Sequence, residues 1–517
     1  MTWKAARLLC LALLLGALGV LVGASPATAA GVTRYVVSSG DDTDNDCTDP
    51  ANPCQHLQYA IDQANDGDTI AVGGTVASNV TVRTSLTITQ WSGQAPAVLD
   101  GGSNDTVVKV DGTGAVTPPS VTLSDLTIQN GAALGFLQSA GGVYNNATLD
   151  VENTTISGNL ADNQGGGIYN DTGGTLTVAN STVSNNSATN GGGLANASGA
   201  SLTLESSTVS DNSAFNAGGA FLDFGTATIL RSTIAGNSAP HQGGGINVQP
   251  GAATLLVAES TLTGNVGGIG GAFWNQGTLT VESSTITANS SGIGTQASAT
   301  FAGDIIAGQN GPDCEGPDPG PPLLVAIADA GYNVDDDGTC GLSAANHSIS
   351  DSSAIDSYLG GLADNGGPTE TQALLNTPSP ATSATDPALG AVPPSFDLPE
   401  AVDGHTALCS VADQRGITPA AGLNCDIGAY LLQPTATSLS ASSATIAQGG
   451  SVTYTATVFP APDGGTVTFS DGAGNPATTH CAAQPLTGGT ATCTVSYPAA
   501  GGFAVSATYS GDGASNN

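Results

Sequence analysis

The stretch "GGGIYNDTGGTLTVANSTVSNN", Gly165 to Asn186, decides the fold. Its three short runs, "GIYN", "TLTVA" and "STVSN", have the alternation of extended strands. Between them stand clusters of Gly, Asn and Asp that suit tight turns. No part of it has helical spacing. The closing phrase, Thr–aliphatic–small–x–Asn, returns as "TTISGN", "STVSDN", "STIAGN", "STLTGN" and "STITAN". Its asparagines, Asn159, Asn186, Asn212, Asn237, Asn265 and Asn289, are spaced by 27, 26, 25, 28 and 24 residues. A period of this length marks a solenoid, and its variation marks loops that accept insertions.

Three aliphatic columns follow from strand alternation. The first is Leu149, Leu176, Leu202, Ala227, Leu255 and Leu279, and the second is Val151, Val178, Leu204, Ile229, Val257 and Val281. The third is Ile156, Val183, Val209, Ile234, Leu262 and Ile286. Burying one such side chain is worth roughly 1.5–3 kcal/mol, but a lone coil cannot shelter it, whereas a stack makes a continuous core. The expected fold is therefore all-β: a parallel β-helix with three strands per coil, right-handed by crossover chirality. At a fixed turn, the asparagines would form a structural ladder in which stacked carboxamides satisfy buried polar groups.

The chain begins with Lys4 and Arg7, an apolar run from Leu8 to Val22, and Ala27-Thr28-Ala29. That is the pattern of an export signal over residues 1–30, which places the mature protein outside the cell or on its surface. No later stretch is long and apolar enough to span a bilayer. Without the signal, five basic residues face 42 acidic ones, a balance of −37. Such a surface disfavours nucleic acid and suits cations. The eight remaining cysteines allow 105 connectivities. Local pairing is the simplest: Cys47 with Cys54, Cys314 with Cys340, Cys409 with Cys425, and Cys481 with Cys493. An even count in an exported chain favours disulfides over metal thiolates, and no CxxC spacing suggests zinc.

Residues 121–306 resemble the repeats of the pectin lyase-like β-helix superfamily, particularly the polymorphic outer-membrane-protein type, through "GGGIYN…LTVANSTVSNNSA…GGGL". Upstream, "RYVVSSGDDTDNDCTDPANPCQHLQYAIDQANDGDTIAV" is similar to the start of many exported β-helices. That likeness implies a cap with a helix over Cys54–Asn65, burying Leu57, Tyr59, Ala60 and Ile61. Downstream, "LGGLADNGGPTETQALL" and "CSVADQRGITPAAGLNCDIGAY" resemble the choice-of-anchor Q region, with the usual "SPAIDAG" phrase replaced by "SPATSATDPA". From about Gln433, alternating strands with Gly and Pro turns describe a β-sandwich. This part resembles a bacterial Ig-like repeat whose closing strand follows "YSGD"; the text stops at "ASNN", as a truncated C-terminus would. The expected organisation is cap and first coils over 31–120, regular repeats over 121–310, the C-terminal β-helix region over 311–433 and the Ig-like domain over 434–517.

Function is less legible. A lyase would need calcium on carboxylates and a base near the scissile bond. Only Arg231 lies within the regular repeats, where it reads as an outward turn residue. Glu152, Glu205, Glu259 and Glu282 recur after the second strand as one like-charged column, which suits a solvated edge better than the facing carboxylates of a glycoside hydrolase. His241 and His405 have no evident nucleophile beside them. The balance leans away from an enzyme. An outward stripe, Tyr144, Tyr169, Ala195, Leu222 and Trp274, is a candidate for stacking on polysaccharide, with Tyr144, Tyr169 and Trp274 as its ligand-binding residues. A Thr ladder, Thr155, Thr182, Thr208, Thr233, Thr261 and Thr285, resembles an ice-binding array but is interrupted at Ala235. No cofactor is required, although calcium would suit the acidic runs Asp41–Asp46 and Asp335–Asp337. The preferred reading is a secreted or cell-surface scaffold of adhesin type that contacts glycans. The alternative is a polysaccharide lyase or glycoside hydrolase of the same superfamily.

Overall fold

In the computed structural model, the described residues are 31–135, 137–251, 253–315, 327–375, 386–402, 404–419, 422–432, 436–459, 465–470 and 481–510. The signal segment, most of "SPATSATDPA" and the end of the chain from 511 lie outside them.

Alternation within each coil settles which side chains turn inward. In the coil quoted above, the strands are Ile168–Asn170, Thr175–Ala179 and Thr182–Ser184. Each joins a parallel sheet running the length of the stack, of 10, 12 and 11 strands respectively. Register is kept from coil to coil: Leu176 pairs with Leu149 and Leu202, Val178 with Val151 and Leu204, and Val183 with Ile156 and Val209. All three aliphatic columns are buried and belong to one continuous core. The all-β parallel helix expected from the period is the fold observed.

The turns repeat as faithfully as the strands. Between the 12- and 11-stranded sheets, Asn153, Asn180, Ser206, Arg231, Glu259 and Ser283 all have φ between 48° and 51°. This left-handed conformation bends a strand in one residue; Asn accepts it readily, and long side chains do so at a cost. The next residue forms a hydroxyl ladder, in which the backbone N–H of Thr154 donates to Ser181 Oγ and that of Ser181 donates to Ser207 Oγ, both at 3.0 Å.

A fourth parallel sheet, six strands from Ala132–Ala133 to Val266–Ile269, lies outside the three that enclose the core. After the Asn turn, the chain runs outward through Leu160–Gln164 and then doubles back at Gly165. A Cβ at Gly165 would lie 2.3 Å from the Ile168 carbonyl oxygen, so the reversal needs glycine. Gly191, Gly218, Gly243 and Gly270 make the same turn, with φ between 60° and 65°.

The cap holds a helix over Leu57–Asp62, shorter than the expected Cys54–Asn65. Its start is displaced because Cys54 is bonded to Cys47 and bridges to Val36, while the Gln55 and His56 N–H groups donate to Asp42. Leu57, Ala60 and Ile61 are buried, and Tyr59 partly so. At the other end the coils continue to Val334–Asp335. The chain then returns along the flank: Ile355, Leu374, Val392, Leu408, Ile427 and Tyr430 share a second apolar cluster with Leu230, Ala258 and Ile305. Two three-stranded antiparallel arrangements formed from residues 436–509 have their own core around Val452, Tyr454, Val467, Phe469 and Val495.

Candidate functional site

The asparagine column forms a hydrogen-bonded ladder. In each step one carboxamide donates to the next: Asn159 Nδ2 to Asn186 Oδ1, Asn186 to Asn212, Asn212 to Asn237, each at 3.0 Å. The same oxygens accept the backbone N–H of the preceding asparagine, and Asn289 finishes the run on Gln309 Oε1. A second ladder, not anticipated from the sequence, fills another corner: Asn145 donates to Asn170, Asn170 to Asn196 and Asn196 to Asp223, at 2.8–2.9 Å. Its signal was the last letter of "VYN", "IYN", "LAN" and "FLD", hidden beside the aromatic position. Burial raises the Asp223 carboxyl to about 6.

The aromatic stripe is shorter than expected. Tyr144, Tyr169, Ala195, Leu222, Asn247 and Trp274 do stand in register. Trp274, however, is 1% exposed, as are Ala195 and Leu222, so the expectation of an outward Trp274 is wrong. The six-stranded sheet shields this face: Ala217 of that sheet packs on Ala195 and Leu222. Only Tyr144 and Tyr169 remain half-buried, with ring centroids 6.0 Å apart. Both hydroxyls donate to Asp171, from Tyr144 at 2.6 Å and from Tyr169 at 3.3 Å. Asn146 adds its amide 3.4 Å from the Tyr144 hydroxyl. Burial, together with the Asp171 charge, pushes the Tyr169 hydroxyl up to about 12 and Tyr144 higher still, so both remain protonated donors. Asp171 was absent from the sequence-derived site because it reads as a turn residue.

The Thr ladder is likewise covered over half its length. Thr155, Thr182 and Thr208 are partly exposed, whereas Thr233, Thr261 and Thr285 are buried. Gln414 accepts from Thr261 Oγ1 at 2.6 Å and donates to Thr233 Oγ1 at 2.8 Å, while Thr285 Oγ1 accepts the Ala429 N–H. The "DQRG" phrase thus fastens the returning chain to the coils. Its Arg415 pairs with Asp413 at 2.7 Å and lies over the Tyr430 ring.

Two sequence readings are corrected beneath this cover. Arg231 is no outward turn residue: it bridges Glu205 at 2.7 Å and Glu259 at 3.1 Å, and its side chain is 13% exposed. Nor do the four glutamates share a column. Glu152, Glu205 and Glu282 occupy the strand end, while Glu259 pairs off one residue later, at the bend beside Arg231. Glu259 and Glu282 are buried rather than solvated, because the returning chain closes over them. The space left beside Glu259 is about 10 Å³, lined by Leu408, Asp413 and Leu431, at most the room of a single water.

Glu282 gives this interface a pH dependence. Its Oε1 accepts the Glu400 N–H at 2.7 Å, its Oε2 is buried without a partner, and burial raises the carboxyl to about 7. A folded-state value above the unfolded one stabilises fully below about pH 4.5, and that contribution is lost as pH rises towards 7. Glu282→Gln is therefore expected to flatten the fall in stability between pH 5 and 7.5 and to add about 2 kcal/mol at pH 7.5. Urea midpoints at the two pH values check this; an unchanged slope refutes it.

The acidic runs behave differently from each other. In Asp41–Asp46 the carboxylates serve their own loop: Asp41 and Asp46 accept from Thr43 and Thr48, and Asp42 accepts from His56. In Asp335–Asp337, Asp335 turns away to accept the Asp351 and Cys340 N–H groups. Asp336 and Asp337 instead converge with Asp313, each offering an oxygen within 4.8 Å of the others. Asp313 stands beside Cys314, whose disulfide to Cys340 joins the two loops. The other cysteines pair 47–54, 409–425 and 481–493. Stable disulfides belong to oxidising, extracellytoplasmic surroundings, and no helix of the described residues is long and apolar enough to cross a membrane.

Stacked parallel coils, an inward aliphatic core and polar ladders at the corners define the class: a β-helix protein. The family described as "Right handed beta helix region" matches residues 106–286, and "Bacterial Ig-like domain (group 3)" matches residues 439–517. No curated protein matches the chain.

Proposed function

We propose that the protein is a secreted or cell-surface scaffold whose β-helix contacts polysaccharide at Tyr144, Tyr169 and Asp171. The observation carrying this reading is the pair of half-buried tyrosines one coil apart, sharing a carboxylate. Successive coils repeat at about 4.8 Å, comparable to the length of a sugar ring. Aromatic faces receive the apolar face of a sugar, while Asp171 and Asn146 present polar groups at their rim. The engagement of Arg231 by two carboxylates in a closed interface supports a structural part for that cluster. The Ig-like domain suits display at a surface.

Glycan-array binding by the full chain, alongside its Tyr169→Ala and Asp171→Asn variants, tests the reading. Expected is binding that falls at least tenfold in both variants while each stays folded at the assay temperature, and no release of new sugar ends. Binding unaffected by both substitutions refutes the assigned patch. Cleavage of the bound polysaccharide would instead establish the alternative, a lyase or glycoside hydrolase.

A further inference from the structure

We propose that Asp313, Asp336 and Asp337 bind a calcium ion that fastens the last turns of the coil stack together. The carboxylates come from two loops 23 or more residues apart in sequence. Asp313 is 1% exposed; its Oδ2 accepts the Asp336 N–H at 3.1 Å, and its Oδ1 is buried with no partner. Asp337 Oδ2 accepts the Asp313 N–H at 3.1 Å, and Asp336 Oδ2 accepts that of Gly308 at 3.1 Å. These backbone bonds hold the three side chains so that one oxygen of each converges on a common point, with Asp313 buried and Asp337 at the exposed rim. An unpartnered buried carboxylate oxygen is costly unless a cation or a proton meets it.

No basic side chain of the described chain supplies that charge. Arg34, Arg83, Lys109, Arg231 and Arg415 are engaged with Asp68, Asp111, Asp105, the Glu205–Glu259 pair and Asp413. Asp356 adds to the negative charge: after burial, repulsion by Asp336 is what raises its carboxyl, to about 6. Burial, followed by the neighbouring Asp336 carboxylate, also drives the Asp313 carboxyl well up.

Calcium suits the dimensions. Oxygens bound about 2.4 Å from a common ion lie no more than about 4.8 Å from each other, and the three oxygens lie within that limit. Magnesium demands near-ideal octahedral directions and gives up its water reluctantly, so a cage of three carboxylates suits it less. Zinc prefers nitrogen and sulfur. The exposed side of Asp337 leaves room for water to complete six to eight oxygen ligands. Extracellular sites of this ligand charge work at calcium concentrations of about 10⁻⁴–10⁻³ M.

Titration calorimetry and thermal unfolding of the full chain, with CaCl₂, with MgCl₂ and with EGTA at pH 7.5, test the proposal. Expected is one calcium site with millimolar or better affinity and a melting temperature about 5 °C higher in 2 mM calcium than in EGTA, with magnesium much less effective. Asp337→Asn, at an exposed position, should weaken calcium at least tenfold while folding normally. Asp313→Asn should abolish the calcium response and raise the melting temperature in EGTA, because the amide removes the buried repulsion. Neither calorimetric heat nor a thermal shift at 10 mM calcium overturns the proposal. So does calcium binding that Asp337→Asn leaves unchanged, which would place the ion elsewhere.

Discussion

Asn212→Ala is expected to lower the unfolding free energy of the coil stack by about 4 kcal/mol. Asn212 is 1% exposed and its side chain makes four hydrogen bonds, all buried. Its Oδ1 accepts from the N–H and the Nδ2 of Asn186, both at 3.0 Å. Its Nδ2 donates to the Val183 carbonyl at 2.9 Å and to Asn237 Oδ1 at 3.0 Å. A methyl group replaces none of these, and each polar group orphaned in a dry corner costs about 1–3 kcal/mol, partly recovered by relaxation. Because every coil touches only its neighbours, the damage should be local: amides around Val183, Asn186 and Asn237 lose hydrogen-exchange protection before distant coils do. Asn185→Gly is the control, since Asn185 is exposed with φ of 56°, a conformation glycine accepts. It should be neutral. A loss under 1 kcal/mol for Asn212→Ala would mean that the ladder is dispensable.

Arg231→Met should cost about 3–4 kcal/mol at pH 7.5, and Arg231→Met/Glu259→Gln should recover most of it. Methionine preserves much of the apolar stem but strands Glu259, which is 2% exposed, without its guanidinium. Breaking a buried pair is expensive chiefly because a lone charge remains, whereas removing both charges can be nearly neutral. The single variant should also lose less at pH 5, where the stranded carboxyl takes up a proton. Thermal unfolding of the parent, Arg231→Met, Glu259→Gln and the double variant at both pH values, read as a double-mutant cycle, measures this. A double variant no better than the single one would show that Arg231 acts through packing against the returning chain rather than through charge.

Much of the core is legible in the sequence. The alternation in "TLTVA" and its equivalents assigns Leu176 and Val178 inward, and the period stacks them on Leu149, Val151, Leu202 and Leu204. The asparagine column was visible because one residue type recurs at one turn. The second ladder is hidden in the sequence because its members change from Asn145 to Asp223 and are interrupted by Val248. Alternation identifies two faces of a strand; it does not say which outer face stays wet. Thus Tyr169 and Trp274 look equivalent in sequence, yet one is half-exposed and the other sealed.

The sequence by itself determined the coil, its register and the local disulfide partners, because these depend on patterns repeated within tens of residues. Only the tertiary structure decided what the outside of the coils became. The outer sheet packs on Ala195 and Leu222, the chain returning from beyond residue 350 buries Thr261 and Glu282, and two loops bring Asp313 to Asp336 and Asp337. Those contacts join residues without a shared period, held by packing and charge that no single repeat encodes.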